Sequence, residues 1–272
     1  MDMLFSKLKG MFFINSFIGL FAIFFMLASA EQAHADCQIK NKRTEIIYTD
    51  LQTAINAAIS GDTLLVKGKC ETSVGFTIVD KSLTIKGVGS RRLLGRHSPS
   101  ATLDGNYAAT VLTITENTPN TVFVILENLK IENGNGGAGG GINNNATLIL
   151  EHTHVVDNHA FSGGGIFNVV TAGPSAGSVT LIHSKVERNT ADFTGGGIIA
   201  TGFIENRAVL NVQRSEIEHN SAIGLGGGIA VINTNLFVDR SQISHNRGSS
   251  GGGLLNEASL AVLKRSRIDS NT

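Results

Sequence analysis

A glycine triplet followed by an apolar residue recurs five times in this chain, and nothing else in it narrows the fold as far. The units are Gly139-Gly140-Gly141-Ile142, Gly163-Gly164-Gly165-Ile166, Gly195-Gly196-Gly197-Ile198, Gly226-Gly227-Gly228-Ile229 and Gly251-Gly252-Gly253-Leu254. Their apolar residues lie 24, 32, 31 and 25 positions apart. A base unit of 24–25 residues explains two spacings, and the other two carry insertions, placed at 171–177 and 201–206. A period of this size marks a chain built by stacking one small unit.

A second pattern, apolar-x-x-Asn, has the same period: Val155/Asn158, Val186/Asn189, Ile217/Asn220, Ile243/Asn246 and Ile268/Asn271. Two residues before each apolar position sits a hydroxyl, at Thr153, Ser184, Ser215, Ser241 and Ser266. Upstream of these, Leu148/Leu150, Val179/Leu181, Leu210/Val212 and Leu236/Val238 alternate with residues free to face outward. The register of the last unit, Leu260 to Leu263, is ambiguous. Alternation over three to five residues predicts short strands with one buried face. One such unit cannot bury its apolar face alone, so the predicted fold is all-β, a parallel β-solenoid with rungs about 4.8 Å apart. Glycine suits its tight corners. An inward asparagine amide both donates and accepts, so it suits another corner.

The region before the repeats differs. Asp50 is placed to cap a short helix on Leu51, Ala54, Ile55 and Ala58, with Gly61 ending it. Strands are predicted at 63–66, 82–86, 111–114 and 121–131. A basic excursion at 90–100 carries Arg91, Arg92, Arg96 and His97.

Residues 1–35 read as a secretory signal, with Lys7 and Lys9, an apolar run, and two small-residue cleavage sites ending at Ala30 and Ala35. A membrane anchor is the alternative, and no second stretch is long enough to span. The expected organisation is a signal over 1–35, a cap over 36–76 and β-helix rungs over 77–272. Because the chain stops inside a repeated unit, it is expected to be a piece of a longer protein. Cys37 and Cys70, alone in the chain, are expected to be bridged in an oxidising compartment.

The segments around Leu51-Gln52-Thr53-Ala54-Ile55, Gly61-Asp62-Thr63, Ser82-Leu83-Thr84-Ile85 and Leu103-Asp104-Gly105 resemble the entry of pectin-lyase-like right-handed parallel β-helices. The repeats are similar to those of polymorphic outer-membrane proteins, whose motifs read GGA-I and F-x-x-N; here Gly replaces Ala, and Val or Ile replaces Phe. The resemblance implies a right-handed β-helix with a short N-terminal capping helix, at the cell surface or secreted. It does not imply one activity, because this solenoid hosts lyases, hydrolases, esterases and adhesins. Its lyases use clustered acids with Ca²⁺ and a basic proton acceptor, and its hydrolases use paired carboxylates.

Lys+Arg and Asp+Glu are both 22, which argues against a nucleic-acid partner held by overall charge. Gly134-Asn135-Gly136-Gly137-Ala138-Gly139 matches a dinucleotide fingerprint, but no helix is expected to follow. Gly248-Ser249-Ser250-Gly251-Gly252 matches G-x-S-x-G, yet Ser250 falls in a column with Ser162, Thr194 and Leu225. His152 and His154 lack the acids and thiols of a metal site, and no metal or other cofactor is expected. Across the five repeated units, Glu187 and Glu218 are the only acids expected in adjacent rungs of one column. Opposite bases such as Lys185 or Arg188 make them a solvated row rather than a catalytic pair.

One column stands out. Just before each hydroxyl sits His152, His183, Arg214, Arg240 or Arg265. Such a ladder discourages lateral strand pairing, or it forms a binding strip for an anionic polysaccharide or cell-envelope component. The functional expectation is a non-catalytic, adhesin-like surface protein. The alternatives are a polysaccharide lyase or hydrolase, and a structural passenger of a longer surface protein.

Overall fold

In the computed structural model the described residues are 37–272, without 90, 91, 94, 95, 98, 119, 120 and 171–176, and with backbone alone at 92, 93, 96 and 97. The expected signal segment, the side chains of the basic excursion and most of the first insertion lie outside the described residues.

The chain is a parallel β-helix. Each full turn of the repeat region supplies strands to four faces. The first face holds Thr147–Glu151, Ser178–Ile182, Ala208–Gln213, Thr234–Asp239 and Leu260–Lys264. The second holds His154–Val156, Lys185–Glu187, Glu216–Glu218, Gln242–Ser244 and Arg267–Asp269. The third holds Asn135–Ala138, His159–Ser162, Thr190–Thr194 and Ser221–Ala222, and the fourth runs from Phe76–Val79 to Leu254–Glu257.

Pairing is residue for residue. Leu148, Val179, Leu210 and Leu236 stack in register on the first face, and Val155, Val186, Ile217 and Ile243 on the second. All eight are fully buried, which is the consequence of the two-residue alternation. Each such side chain contributes about 1.5–3 kcal/mol relative to exposure. The last unit is resolved by its pairing: Ala261 and Leu263 continue the inner positions, and Leu260 faces out.

Parallel stacking begins earlier, with Thr63–Glu71. This strand bends at Gly68 (φ 84°) and pairs with both Leu83–Gly87 and Ala101–Asp104, so it serves two faces. The expected strand over 121–131 is two strands, Phe123–Glu127 and Leu129–Glu132, broken where Asn128 turns left-handed at φ 55°. Asparagine tolerates that conformation because its short polar side chain bonds locally, and an apolar run offered no hint of a corner there.

At the N-terminal end, Gln38–Asn41 pairs antiparallel with both Ile47–Tyr48 and Thr63–Glu71. The single described helix, Leu51–Ala57, buries Leu51, Ala54 and Ile55. Asp50 caps it, its carboxylate accepting from the Thr53 N–H at 2.7 Å. The helix closes at Ala58, whose N–H reaches back to Ala54 and Ile55, so Gly61 (φ 93°) belongs to the following turn rather than to the helix end. The Cys37–Cys70 disulfide is formed and ties the first strand to the first rung across 33 residues. Closing a loop of that size contributes about 3–4 kcal/mol.

Candidate functional site

Three kinds of corner position the outer side chains. At the third-to-fourth corner, the first glycine of each triplet has φ between 63° and 67°. The second glycine has no room for a side chain: a Cβ on Gly196 would lie 2.4 Å from the carbonyl oxygens of both Gly227 and Ser221 in the next rung.

The other two corners share one device, a left-handed residue followed by a buried polar one. Between the second and third faces, Asn158, Asn189, Asn220, Asn246 and Asn271 form a ladder. Asn189 donates from Nδ2 to the Val155 carbonyl and to Asn220 Oδ1, both at 3.0 Å, and its N–H donates to the same Oδ1 at 3.0 Å. The Asn189 amide therefore bonds backbone and side-chain groups of the preceding rung and the asparagine side chain of the next. Between the first and second faces the hydroxyls play this part. The N–H of Thr153 donates to Ser184 Oγ, that of Ser184 to Ser215 Oγ, and so on to Ser266, at 3.0–3.1 Å.

The left-handed residues themselves point outward. At the first-to-second corner they are His152, His183, Arg214, Arg240 and Arg265, with φ of 48–49°. At the second-to-third corner they are Asp157, Arg188, His219, His245 and Ser270, with φ of 51–56°. A non-glycine residue there carries backbone strain of about 1–2 kcal/mol. The two columns answer the same backbone demand, yet one is wholly basic or titratable and the other mixes both signs. Backbone geometry therefore does not dictate the basic column.

Two adjoining grooves run along that column. One, of about 800 Å³, is lined by His152, His154, His183, Ser184, Lys185, Arg214 and Glu216. The other, of about 370 Å³, shares Arg214 and Glu216 and continues past Arg240 and Arg265 to Arg267. Arg265 is held bidentately by Asp239 at 2.8 and 3.0 Å, and Arg267 pairs with Asp269 at 2.8 Å. Arg214 and Arg240 are exposed and make no ion pair among the described residues. Burial pushes the His154 imidazole down from its ordinary value, against the opposing pull of Glu187.

The outer side of the second face explains the paired acids. Four of its rungs, none of them adjacent, carry a cation two residues before an acid: Lys69–Glu71, Lys130–Glu132, Lys185–Glu187 and Arg267–Asp269 are all ion pairs. Lys185 also contacts Glu218 and lies 3.6 Å from Glu216. Burial alone would lower the Lys185 ammonium, but its bonds to Glu187 and Glu218 outweigh that and it is pushed up to about 12. Burial would likewise raise Glu187, and Lys185 and Arg188 overcome it, holding the carboxyl below the usual range. Two carboxylates clasped by one lysine do not present one free acid and one free base. Three of these ion pairs were readable as K-x-E around an inward residue, Cys70, Ile131 or Val186. The buried pair Asn144 and Asn168, joined at 2.7 Å on the fourth face, has no periodic signal, because Ala200 and Val231 follow in its column.

The other motifs resolve structurally. Asn135–Ala138 is a strand and Ile142–Asn144 another, so the glycine fingerprint opens no helix. Ser250 pairs with Leu225 in a rung column, and strand Leu254–Glu257 follows it. Asp104 bonds Lys69, Asn133 and the Asn106 N–H, which makes it a turn anchor. Among the described residues no group of three or more metal-ligating side chains occurs, and no helix is long and apolar enough to cross a membrane.

Fold and corner column together define the class: a parallel β-helix with ladder-filled corners and a basic column along one of them. Compared with protein-family models, with curated proteins and with solved structures, the chain gives no match to any of them.

Proposed function

We propose that this chain is an exported or cell-surface β-helix repeat protein whose basic corner column binds an anionic polymer, a polysaccharide or another envelope component, without catalysing its conversion. One observation carries the reading. Through the five repeated rungs, two corners with the same left-handed backbone run side by side, and the one along two adjoining grooves carries His or Arg in every rung. A column with one cationic group per rung presents a regular line of positive potential, which suits a linear polyanion better than a compact ligand. Export is supported by the leader-like residues 1–35 and by the Cys37–Cys70 disulfide, since such bonds persist in oxidising compartments. The resemblance of the repeats to pectin-lyase-like helices and polymorphic outer-membrane proteins points the same way.

The hydrolase alternative requires an acid pair free to exchange protons, and Glu187 and Glu218 are held by Lys185 instead. The test is binding of dextran sulfate to residues 36–272 at low ionic strength, with Arg214→Asn/Arg240→Asn as the variant. Asparagine already occupies this corner at Asn128, so the substitution respects the backbone. Binding that weakens about tenfold or more in the variant, and that fades with added salt, supports the reading. Absence of binding would leave the passenger role.

A further inference from the structure

The basic column is not uniform along its length. Its first two rungs carry His152 and His183, and the next three carry Arg214, Arg240 and Arg265. Arginine is charged at every relevant pH, whereas histidine changes charge between about pH 5 and 8. The strip therefore has a permanent end and a titratable end.

The titratable end is built as a unit. The two imidazoles stack with centroids 5.1 Å apart and planes 13° from parallel. They line the same groove as His154, Lys185 and Arg214. Among the described residues, charged groups facing this pair include Glu151, whose carboxylate is 3.9 Å from His152 Nδ1, then Lys185 and Glu216 of the second face, and Arg214 of the next rung. Lys130 and Glu187 act on the adjoining His154. Glu187 is committed to Lys185 and Arg188, and Glu216 lies nearest Lys185. Two stacked imidazolium rings beside Arg214 repel one another. An anion laid along the groove relieves that repulsion, so anion and protons each favour binding of the other.

We propose that this column is a proton-coupled polyanion site, in which an anionic chain held by Arg214 and Arg240 extends its contact onto His152 and His183 as they gain protons. The inference rests on the binding reading above and adds its regulation: contact over two rungs in neutral or alkaline medium and over four in acid.

The second stacked histidine pair provides a control. His219 and His245 stack at 4.9 Å, but at the other corner, where Glu218, Arg188 and Asp157 mix the charge. The experiment is calorimetric titration with dextran sulfate, whose sulfate esters stay ionised throughout, at pH 8.0 and pH 5.5 in low salt. The expected result is about tenfold tighter binding at pH 5.5, with proton uptake between the two, seen as a dependence of the heat on buffer ionisation enthalpy. His152→Asn/His183→Asn should abolish both effects, while His219→Asn/His245→Asn should keep both. Equal affinity at the two pH values, with binding still dependent on Arg214 and Arg240, overturns the coupling and leaves the binding reading standing. A pH effect that survives His152→Asn/His183→Asn also overturns it. No binding at either pH overturns both.

Discussion

The rungs before residue 135 and the glycine-triplet rungs after it solve the same packing problem by different chemistry. In the early region each buried polar group has its own unlike partner. Asp62 accepts from Asn41, Arg43 and the Ile59 N–H, and Asp104 from Lys69 and Asn133. In the repeats one residue type serves a whole column. An asparagine amide is donor and acceptor at once, so identical copies satisfy one another up the stack. A carboxylate only accepts, and a column of them would repel. Repetition therefore selects self-complementary side chains, and its absence requires heterogeneous pairs, a helix and a disulfide.

The largest effect should come from breaking a corner that recurs. Gly196→Ala puts a methyl group 2.4 Å from two backbone oxygens of the next rung, and neither can move without the rung. Destabilisation by more than about 4 kcal/mol is expected in thermal or denaturant unfolding. Gly137→Ala, in the first glycine-rich strand, meets nothing within 4 Å and should fall within about 0.5 kcal/mol of the parent.

In the early region the covalent tie comes next. Cys70→Ser should cost about 3 kcal/mol, and the oxidised parent should show no free thiol on titration after denaturation. Asn220→Ala tests the ladder. It removes the acceptor of the Asn189 N–H and Nδ2, and the donor to the Val186 carbonyl. A loss of about 2–3 kcal/mol is expected, since each orphaned buried group costs about 1–3 kcal/mol.

Acid sharpens the comparison further. Arg43, then Asn41 and the Ile59 N–H, hold the Asp62 carboxyl well below the usual carboxylate range despite its burial. A depressed carboxylate contributes stability that is complete above its unfolded value of about 3.9 and is lost as pH falls. Lys185 has the opposite sign: with its value pushed up to about 12, its contribution is present below about 10.4 and is lost as pH rises. Lowering pH from 7 to 3 should therefore reduce the melting temperature of the parent more than that of Asp62→Asn. The smallest effect is expected at Arg214→Asn, within about 0.5 kcal/mol, because an exposed left-handed corner accepts either side chain.

Much of this was legible because periodicity repeats its own signal. The triplets, the alternation around Leu148/Leu150 and the inward position of Val155 each recur, and a period-two pattern has one inner face. The Asp50 cap was legible for a local reason, since a side-chain acceptor three residues before Thr53 defines a helix start. What stayed hidden was non-periodic. Asn128 breaks an apolar run at a left-handed corner without a glycine to announce it. The Asn41–Asp62–Arg43 cluster joins residues about twenty apart that no spacing relates. The basic column was visible as a column, but its place at a strained corner beside a groove depends on which way each rung turns.

The central claim is a division of labour between the inner and outer residues of these corners, and one paired measurement tests it. Melting temperature and dextran sulfate affinity are compared for Asn220→Ala and for Arg214→Asn/Arg240→Asn. The account predicts that Asn220→Ala melts several degrees lower with unchanged affinity at temperatures where it is folded. It predicts that the double arginine variant keeps its melting temperature and loses about tenfold or more in affinity. Equal melting temperatures for both variants, with affinity unaltered in the arginine pair, would contradict it.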